Sequence, residues 1–147
     1  YGGKITTFRK LSEHALEKIR PFFPSMKPGW TSKGILPGGD MPKADFEQFL
    51  GDLKARYRWL PADLAKHYAR LYGTRAHDLL GNAVSLDDLG ASFGKLLRER
   101  EARFLIETEW AQTPQDILER RTKHGLHMTP AEHEAFASWC LRQSQAA

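Results

Sequence analysis

The chain has 147 residues, of which 41% are hydrophobic and 27% charged, a composition typical of a folded globular domain and not of a disordered segment. No apolar run reaches the roughly 20 residues that span a bilayer, which excludes a transmembrane helix. The single cysteine, Cys140, excludes an internal disulfide and a Cys-rich zinc site and fits a reducing compartment. Twenty-two Lys and Arg against 18 Asp and Glu give a net charge of +4, which indicates no partner because the charges are interspersed.

The chain begins abruptly. Its first residues, Tyr1-Gly2-Gly3-Lys4, include no initiator methionine and no signal-peptide pattern. A glycine pair needs a flanking element to define the turn that it makes, and only one residue precedes this pair. We therefore expect the chain to be a piece cut from a longer protein.

The first predicted element is an amphipathic helix. Apolar residues recur at three- and four-residue spacing from Phe8 to Ile19, after Thr6 and Thr7 as candidate N-caps, and Pro21 ends the pattern. Residues 25–42 contain three prolines and four glycines and predict a loop. Because so long a loop is unusual inside one compact domain, we interpret it as an inter-domain connection.

From residue 43 onward the pattern is helical. One apolar stripe runs through residues 46–57, and a short helical piece is predicted near 76–80. Between them a second helix is predicted from Pro61 to Gly73, and its inward-facing residues are expected to be Leu64, His67, Tyr68 and Leu71. Leu86, Leu89 and Phe93 are expected to lead into a longer helix that continues to Trp110.

Two further helix starts follow. Thr113-Pro114-Gln115-Asp116 predicts a helix with Gly125 as its C-cap, and Thr129-Pro130-Ala131-Glu132 is a capping box that begins a terminal helix. No segment shows period-two alternation of β-branched residues. The sequence therefore predicts an all-α fold, in which one helix and a long Pro/Gly-rich loop precede a bundle of about five helices.

The segment Gly2-Gly3-Lys4-Ile5-Thr6-Thr7 is the sharpest local motif. Glycines let the backbone approach a ligand, the helix start offers free N–H groups with a partial positive charge, and Lys4 adds a full charge. These features suit an anionic or electron-rich group such as a phosphate or a flavin carbonyl. From spacing alone, a plain helix-entry turn is the favoured alternative.

The remaining candidates favour structural roles. The six histidines lack metal-ligand spacing and are expected to be solvated or at helix ends, so no metal site is predicted. Cys140 lies on an apolar face and is expected to be a core residue. Residues 99–101, interspersed with Arg98, Arg100 and Arg103, indicate an exposed, salt-bridged helix face.

Arg120, Arg121 and Lys123 form a compact basic patch near a predicted helix C-terminus. A nucleic-acid interface would need more basic residues and exposed aromatic residues on the same face, so this class of partner is disfavoured. Docking of the arginines to carboxylates or carbonyls of a neighbouring domain is at least as well supported.

Several motifs in order resemble the FAD-dependent, quinone-linked glycerol-3-phosphate dehydrogenases. The residues that carry this resemblance are Gly2-Gly3-Lys4-Ile5-Thr6-Thr7-Phe8-Arg9-Lys10, Trp30-Thr31 with Leu36-Pro37-Gly38-Gly39, Ala69-Arg70-Leu71-Tyr72-Gly73, Asp88-Leu89-Gly90 with Phe93-Gly94, Glu109-Trp110-Ala111, and Arg120-Arg121-Thr122-Lys123-His124-Gly125-Leu126. The resemblance covers nearly the whole chain. It departs from the family at Phe8, where Tyr is common, and at Glu119, where an aromatic residue often stands.

The resemblance implies a fragment of a two-domain flavoenzyme. Residues 1–24 would be the terminal loop and helix of the FAD-binding domain, residues 25–42 a linker, and residues 43–147 an all-helical C-terminal cap domain. Gly2, Gly3, Lys4, Ile5, Thr6 and Thr7 would contact FAD, and Lys4 would also lie near the substrate. The resemblance thus favours the anion-site interpretation of this segment.

The family reaction would oxidise sn-glycerol 3-phosphate to dihydroxyacetone phosphate, with hydride passing to FAD and electrons to a membrane quinone. The missing N-terminal domain would form most of the FAD site and would be the main binding partner of this chain. A homodimer of the parent enzyme is compatible with this interpretation. The parent enzyme is expected in the cytoplasm, peripheral on the inner face of the cytoplasmic membrane.

The fragment itself is expected to contain no catalytic residue and to be inactive. A helical interaction module that binds a protein partner or an anionic membrane surface through the basic patch is an alternative. A glycerol-3-phosphate oxidase is the alternative enzyme.

Overall fold

The computed structural model describes residues 4–146, with the backbone alone for residues 144–146. The fold is all-α, as predicted. Within the described range no strand forms, and the only extended pairing is a single antiparallel bridge between Ser92 and Arg98. The chain divides into two compact units, one ending at Leu36 and the other beginning at Pro37, so the division falls inside the segment 25–42.

The first unit contains helix α1 (Phe8–Ile19), flanked by 3₁₀ turns at Ile5–Thr7 and Arg20–Phe22. Thr7 occupies the N-cap position but does not cap the helix through its side chain. Its hydroxyl instead donates a hydrogen bond backwards to the Lys4 carbonyl at 2.8 Å. The expected N-cap position is therefore observed, but the capping bond is not.

The loop after α1 folds back on the helix through one carboxylate. Glu13 accepts hydrogen bonds from the backbone N–H and the hydroxyl of Thr31, and its second oxygen pairs with Arg9 at 3.1 Å. None of the residues 4–36 is buried. This unit therefore has no hydrophobic core of its own within the described residues.

The second unit begins with helices α2 (Phe46–Arg56) and α3 (Ala62–Tyr72), which contact each other, and the short α4 (Ala76–Leu80) follows them. The carboxylate of Asp45 caps α2 by accepting from the Gln48 N–H at 3.0 Å. Gly73 ends α3 with a φ of 56°, as expected for a glycine after the last turn.

Helix α5 (Glu99–Glu109) starts later than the sequence predicted. Residues 90–98 were expected to lead into it as helix, but Gly90 and Gly94 adopt φ values of 71° and 139°, which a helix does not allow. The Ser92–Arg98 bridge then reverses the chain ahead of the helix. Trp110 caps α5 in the left-handed conformation and is 85% exposed.

The segment after α5 forms a π-helix at Asp116–Arg121 and a 3₁₀ helix at His124–His127. The Thr122 N–H donates to the Ile117 carbonyl at 3.1 Å, an i to i+5 bond that ends the π-turn. The prediction that Gly125 is the C-cap is wrong, because the helix ends at Arg121 and Gly125 lies inside the 3₁₀ helix.

The terminal helix α6 (Pro130–Ala146) begins with the predicted capping box, which is confirmed. The Thr129 hydroxyl accepts from the Glu132 N–H at 3.3 Å, and the Glu132 carboxylate accepts from the Thr129 N–H at 2.7 Å.

One hydrophobic core fills the second unit and draws side chains from α2 to α6. Its largest fully buried apolar members are Leu53, Tyr68, Leu79, Leu80, Leu89, Leu97, Leu105, Ile117 and Phe136. Cys140 packs against this core and is partly buried, in agreement with its predicted role. Within the described residues, no helix is both long enough and apolar enough to cross a membrane.

Candidate functional site: a buried carboxylate between two histidines

A fully buried carboxylate lies in the middle of the core. Glu101 occupies α5 four residues before buried Leu105 and four after buried Leu97, and its side chain has no exposed surface. A buried carboxylate needs hydrogen-bond donors, since burying an unpaired charge costs several kcal/mol. Tyr72 supplies one donor, because its hydroxyl donates to Oε1 of Glu101 at 2.7 Å.

Two imidazoles complete the surroundings of this carboxylate. Nε2 of His67 lies 2.8 Å from Oε1 of Glu101, and Nε2 of His124 lies 3.3 Å from Oε2. The centroids of the two imidazole rings are 4.7 Å apart. We call His67, Glu101 and His124 the histidine–carboxylate cluster.

Three separate elements bring the cluster together. His67 comes from α3, one turn before Tyr72, and Glu101 comes from the first turn of α5. His124 opens the 3₁₀ helix after the π-turn, where its backbone N–H donates to the Thr122 hydroxyl at 3.2 Å. The cluster therefore depends on the tertiary fold and on no local sequence motif.

The electrostatics keep the carboxylate ionised and the phenol neutral. Burial alone would raise the pKa of Glu101, but the contacts from His124 and His67 outweigh it, so that the pKa lies below its ordinary value. Burial, with the nearby charge of Glu101, raises the pKa of Tyr72 far above its ordinary value. Tyr72 therefore remains a hydrogen-bond donor at neutral pH.

Two predictions about these residues are wrong. Glu101 was expected on an exposed, salt-bridged face, yet it is buried, whereas its neighbour Glu99 does pair with Arg103 at 2.8 Å as predicted. The general expectation that the histidines are solvated or at helix ends is wrong for His67, which lies inside α3 with only 14% of its side chain exposed. Its predicted place on the inward face of this helix is confirmed. His124 does begin a helix, but it is buried against Glu101.

A sequence signal for the buried carboxylate existed. Leu97, Glu101 and Leu105 follow each other at four-residue spacing, which places the carboxylate on the apolar stripe. The neighbouring arginines obscured this register, because alternating charges are typical of a solvated face. No local signal links His67 and His124, because they are 57 positions apart in the sequence.

A cleft of about 430 Å³ adjoins the cluster. Residues 94–97 line one part of it, and His124, His127 and Met128 line another. Since His124 belongs to both the cleft and the cluster, the cluster has a side from which small solutes can approach.

The predicted flavin-contact segment lies at the start of the described chain. Gly2 and Gly3 lie outside the described residues, and Lys4, Ile5, Thr6 and Thr7 are exposed. The Thr7 N–H donates to the Lys4 carbonyl at 3.0 Å. The segment therefore presents the first turn of a helix beside an exposed lysine.

The basic patch is largely engaged within its own unit. Arg120 pairs with Asp116 at 2.7 Å, and Nε of Arg121 donates to the Glu109 carbonyl at 2.7 Å. Nζ of Lys123 donates to the Glu119 carbonyl. Hydrogen bonds from Thr113 and Gln112 hold the pKa of Asp116 well below its ordinary value, with a smaller contribution from Arg120. The Arg120 side chain is 66% exposed, whereas that of Arg121 is 27% exposed.

Comparisons with known proteins define the class of this chain. A family model described as the C-terminal domain of alpha-glycerophosphate oxidase matches residues 30–139. The chain belongs to this family, which includes the C-terminal domains of glycerol-3-phosphate dehydrogenases and oxidases.

Individual relatives agree with this assignment. The chain is 48% identical to D-erythritol 1-phosphate dehydrogenase of Brucella abortus over 95% of its length, and 41% identical to aerobic glycerol-3-phosphate dehydrogenase of Escherichia coli over 99%. It is 45% identical to glycerol-3-phosphate dehydrogenase of Pseudomonas aeruginosa over 90% of its length. The aligned parts make up 28%, 29% and 26% of these three relatives.

Proposed function

We propose that this chain is the C-terminal domain of an FAD-dependent dehydrogenase that oxidises a small polyol phosphate. The family match over residues 30–139 carries the proposal. Each of the three relatives is named for a phosphorylated polyol. This compound is glycerol 3-phosphate in two of the names and D-erythritol 1-phosphate in the third. We take sn-glycerol 3-phosphate, oxidised to dihydroxyacetone phosphate, as the substrate to test first.

FAD, when bound to the whole enzyme, would accept the hydride of the substrate. The residues at the start of this chain fit a contact with its electron-rich edge, because the helix start at Ile5–Thr7 and the exposed Lys4 ammonium both favour electron density. Gly2 and Gly3 would complete this loop by sequence. We assign Lys4 a second role in holding the substrate phosphate.

Exposed apolar side chains along the first helix support a docking role toward the FAD-binding domain. These large side chains are Phe8, Leu11, Leu16, Ile19, Phe22 and Phe23. Single exposed apolar residues are common, but six of them on one helix and its following turn are typical of an interface. The isolated chain would then be inactive, since most of the cofactor site lies elsewhere.

The test uses the chain of 147 residues and the preceding FAD-binding domain, produced as two polypeptides and mixed. We expect dye reduction by sn-glycerol 3-phosphate only from the mixture. Comparison of kcat/KM for sn-glycerol 3-phosphate and D-erythritol 1-phosphate in the whole enzyme then assigns the substrate. Substrate-dependent turnover by the chain alone would contradict the proposal.

Lys4→Ala in the whole enzyme tests the site at the start of the chain. We expect turnover to fall by at least about 10-fold, since a charged hydrogen bond at a reacting centre contributes roughly 1.5–3 kcal/mol. Lys18→Ala, which removes an exposed lysine of α1, is the matched control. Equal turnover in the two variants would exclude a site role for Lys4.

Electron transfer to a quinone and a peripheral position on the inner face of the cytoplasmic membrane complete the proposal. An oxidase is the alternative, because the matched family model is described by an alpha-glycerophosphate oxidase. Substrate-dependent hydrogen peroxide formation in the whole enzyme, at a rate matching substrate oxidation, would identify the oxidase.

A membrane- or protein-binding module is a second candidate, supported by the exposed Arg120. The internal bonds of Arg121 and Lys123 weaken it, since these cations are already engaged. Flotation of the chain with anionic vesicles at low and high salt separates the two functions. Salt-sensitive binding that Arg120→Ala abolishes would support the module.

A further inference from the structure

We infer that His67, Glu101 and His124 bind one divalent transition-metal ion, with Zn²⁺ as the ion that the ligand set favours. This inference rests on the cluster in the second unit and does not depend on the proposed dehydrogenase activity. It departs from the expectation that the histidines bind no metal.

The ligand atoms converge at suitable distances. One ligand atom from each of the three side chains lies within 4.8 Å of the other two. Nε2 of His67 and Nε2 of His124 are 2.8 Å and 3.3 Å from oxygens of the same carboxylate. Tetrahedral Zn²⁺ with bonds of about 2.0–2.1 Å holds its ligand atoms about 3.3–3.4 Å apart, so small side-chain shifts would admit the ion.

The chemistry of the three donors is that of a zinc site. Two imidazole nitrogens and one carboxylate oxygen are a common protein ligand set for Zn²⁺, and a solvent molecule completes the tetrahedron. Each imidazole would carry its ring proton on Nδ1, which leaves the lone pair of Nε2 for the metal. No proton therefore has to remain between the imidazoles and Glu101.

The charge balance of the site also favours a cation. Glu101 has no exposed surface, and among residues 4–146 no lysine or arginine forms an ion pair with it. A divalent ion would offset this buried negative charge, and a bound hydroxide would balance the charge of +1 that remains. The Tyr72 hydroxyl, 2.7 Å from Oε1, is placed to orient the carboxylate as an outer-shell partner.

The ion would join three elements that are distant in sequence. It would link α3 to α5 and to the 3₁₀ helix His124–His127, which follows directly after Arg120, Arg121 and Lys123. A route for the ion exists, because His124 lines the cleft of about 430 Å³ and the His67 side chain is 14% exposed.

Calorimetric titration of the EDTA-treated, dialysed chain with ZnCl₂ tests the inference. We expect one equivalent to bind, and affinity to fall by about 100-fold or more in His67→Gln and in His124→Gln, since even outer-shell partners contribute roughly 10–100-fold. Tyr72→Phe should weaken binding by about 10-fold. His14→Gln, which alters an exposed histidine of α1 far from the cluster in sequence, should bind like the unaltered chain.

X-ray absorption at the zinc edge on the unaltered chain supplies a measurement that needs no variant. We expect a first shell with two imidazoles and oxygen. Absence of one-equivalent binding, undiminished binding in both His67→Gln and His124→Gln, or a zinc shell without imidazole would each overturn the inference. Circular dichroism of each variant distinguishes loss of the ligand from loss of the fold.

Discussion

Glu101 joins three hydrogen-bonding side chains in the core, and removal of its carboxylate leaves all three without an acceptor there. We expect Glu101→Leu in EDTA-containing buffer to lower the free energy of unfolding by about 3 kcal/mol or more, because Tyr72, His67 and His124 lose their common partner. Urea unfolding measures the change. Glu107→Leu, at an exposed position of the same helix, should change it by less than about 0.5 kcal/mol.

The thiol of Cys140 offers a second test at the residue scale. Burial raises its pKa from an ordinary value of 9.0 to about 11. Alkylation by iodoacetamide at pH 8 should therefore be about 100-fold slower in the folded chain than in urea, since the thiolate is the reacting form. Equal rates in the folded and unfolded states would show that the thiol is not protected.

At the scale of elements, glycine conformation controls the end of α3. Gly73 has a φ of 56°, and a Cβ on it would collide with the Gly38 carbonyl oxygen. We expect Gly73→Ala to destabilise the fold by more than about 1 kcal/mol in urea unfolding. Gly51→Ala is the matched control, because Gly51 lies in α2 with open space around it and should gain about 0.5–1 kcal/mol. A neutral Gly73→Ala would contradict this account.

The capping box of α6 should make stability depend on pH. Hydrogen bonds from the Thr129 N–H and hydroxyl lower the pKa of Glu132 below its ordinary value of 4.5. The stability contributed by the ionised carboxylate is therefore present above pH 4.5 and is lost as the pH falls through the lower folded-state pKa. Thermal melting should show a deficit of Glu132→Gln at pH 7 that shrinks below pH 4.5. Glu134→Gln, on the exposed side of the same helix, should show no such trend.

The helices differ in how far the sequence predicts them. The apolar spacing in α1, α2 and α3 and the capping box of α6 identify these helices, because each depends on residues within a few turns. The start of α5 was missed, since Gly90 and Gly94 and the Ser92–Arg98 bridge replace the expected helix. The histidine–carboxylate cluster could not be predicted, because it depends on the packing of α3 against α5 and on the π-turn.

At the scale of the whole molecule, stability is expected to be concentrated in the second unit. Every buried apolar residue of the described chain lies at or after Phe49. Hydrogen exchange should therefore show rapid exchange of α1 amides and slow exchange of α3 amides. Residues 37–147 alone should unfold in urea at the midpoint of the whole chain. A midpoint that is more than about 1 M urea lower for residues 37–147 than for the whole chain would correspond to a loss of a few kcal/mol in the free energy of unfolding. It would show that residues 1–36 stabilise the second unit.

The junction at Gly38 has a mechanical consequence. Its carbonyl accepts the Thr74 N–H at 3.0 Å, directly after the end of α3. Tension applied through the loop at residues 25–36 would therefore reach this hydrogen bond before it reaches α2 or the core. The hydrogen bond between Thr74 and Gly38 would therefore transmit the pulling force to α3, the helix that also contains His67 and Tyr72.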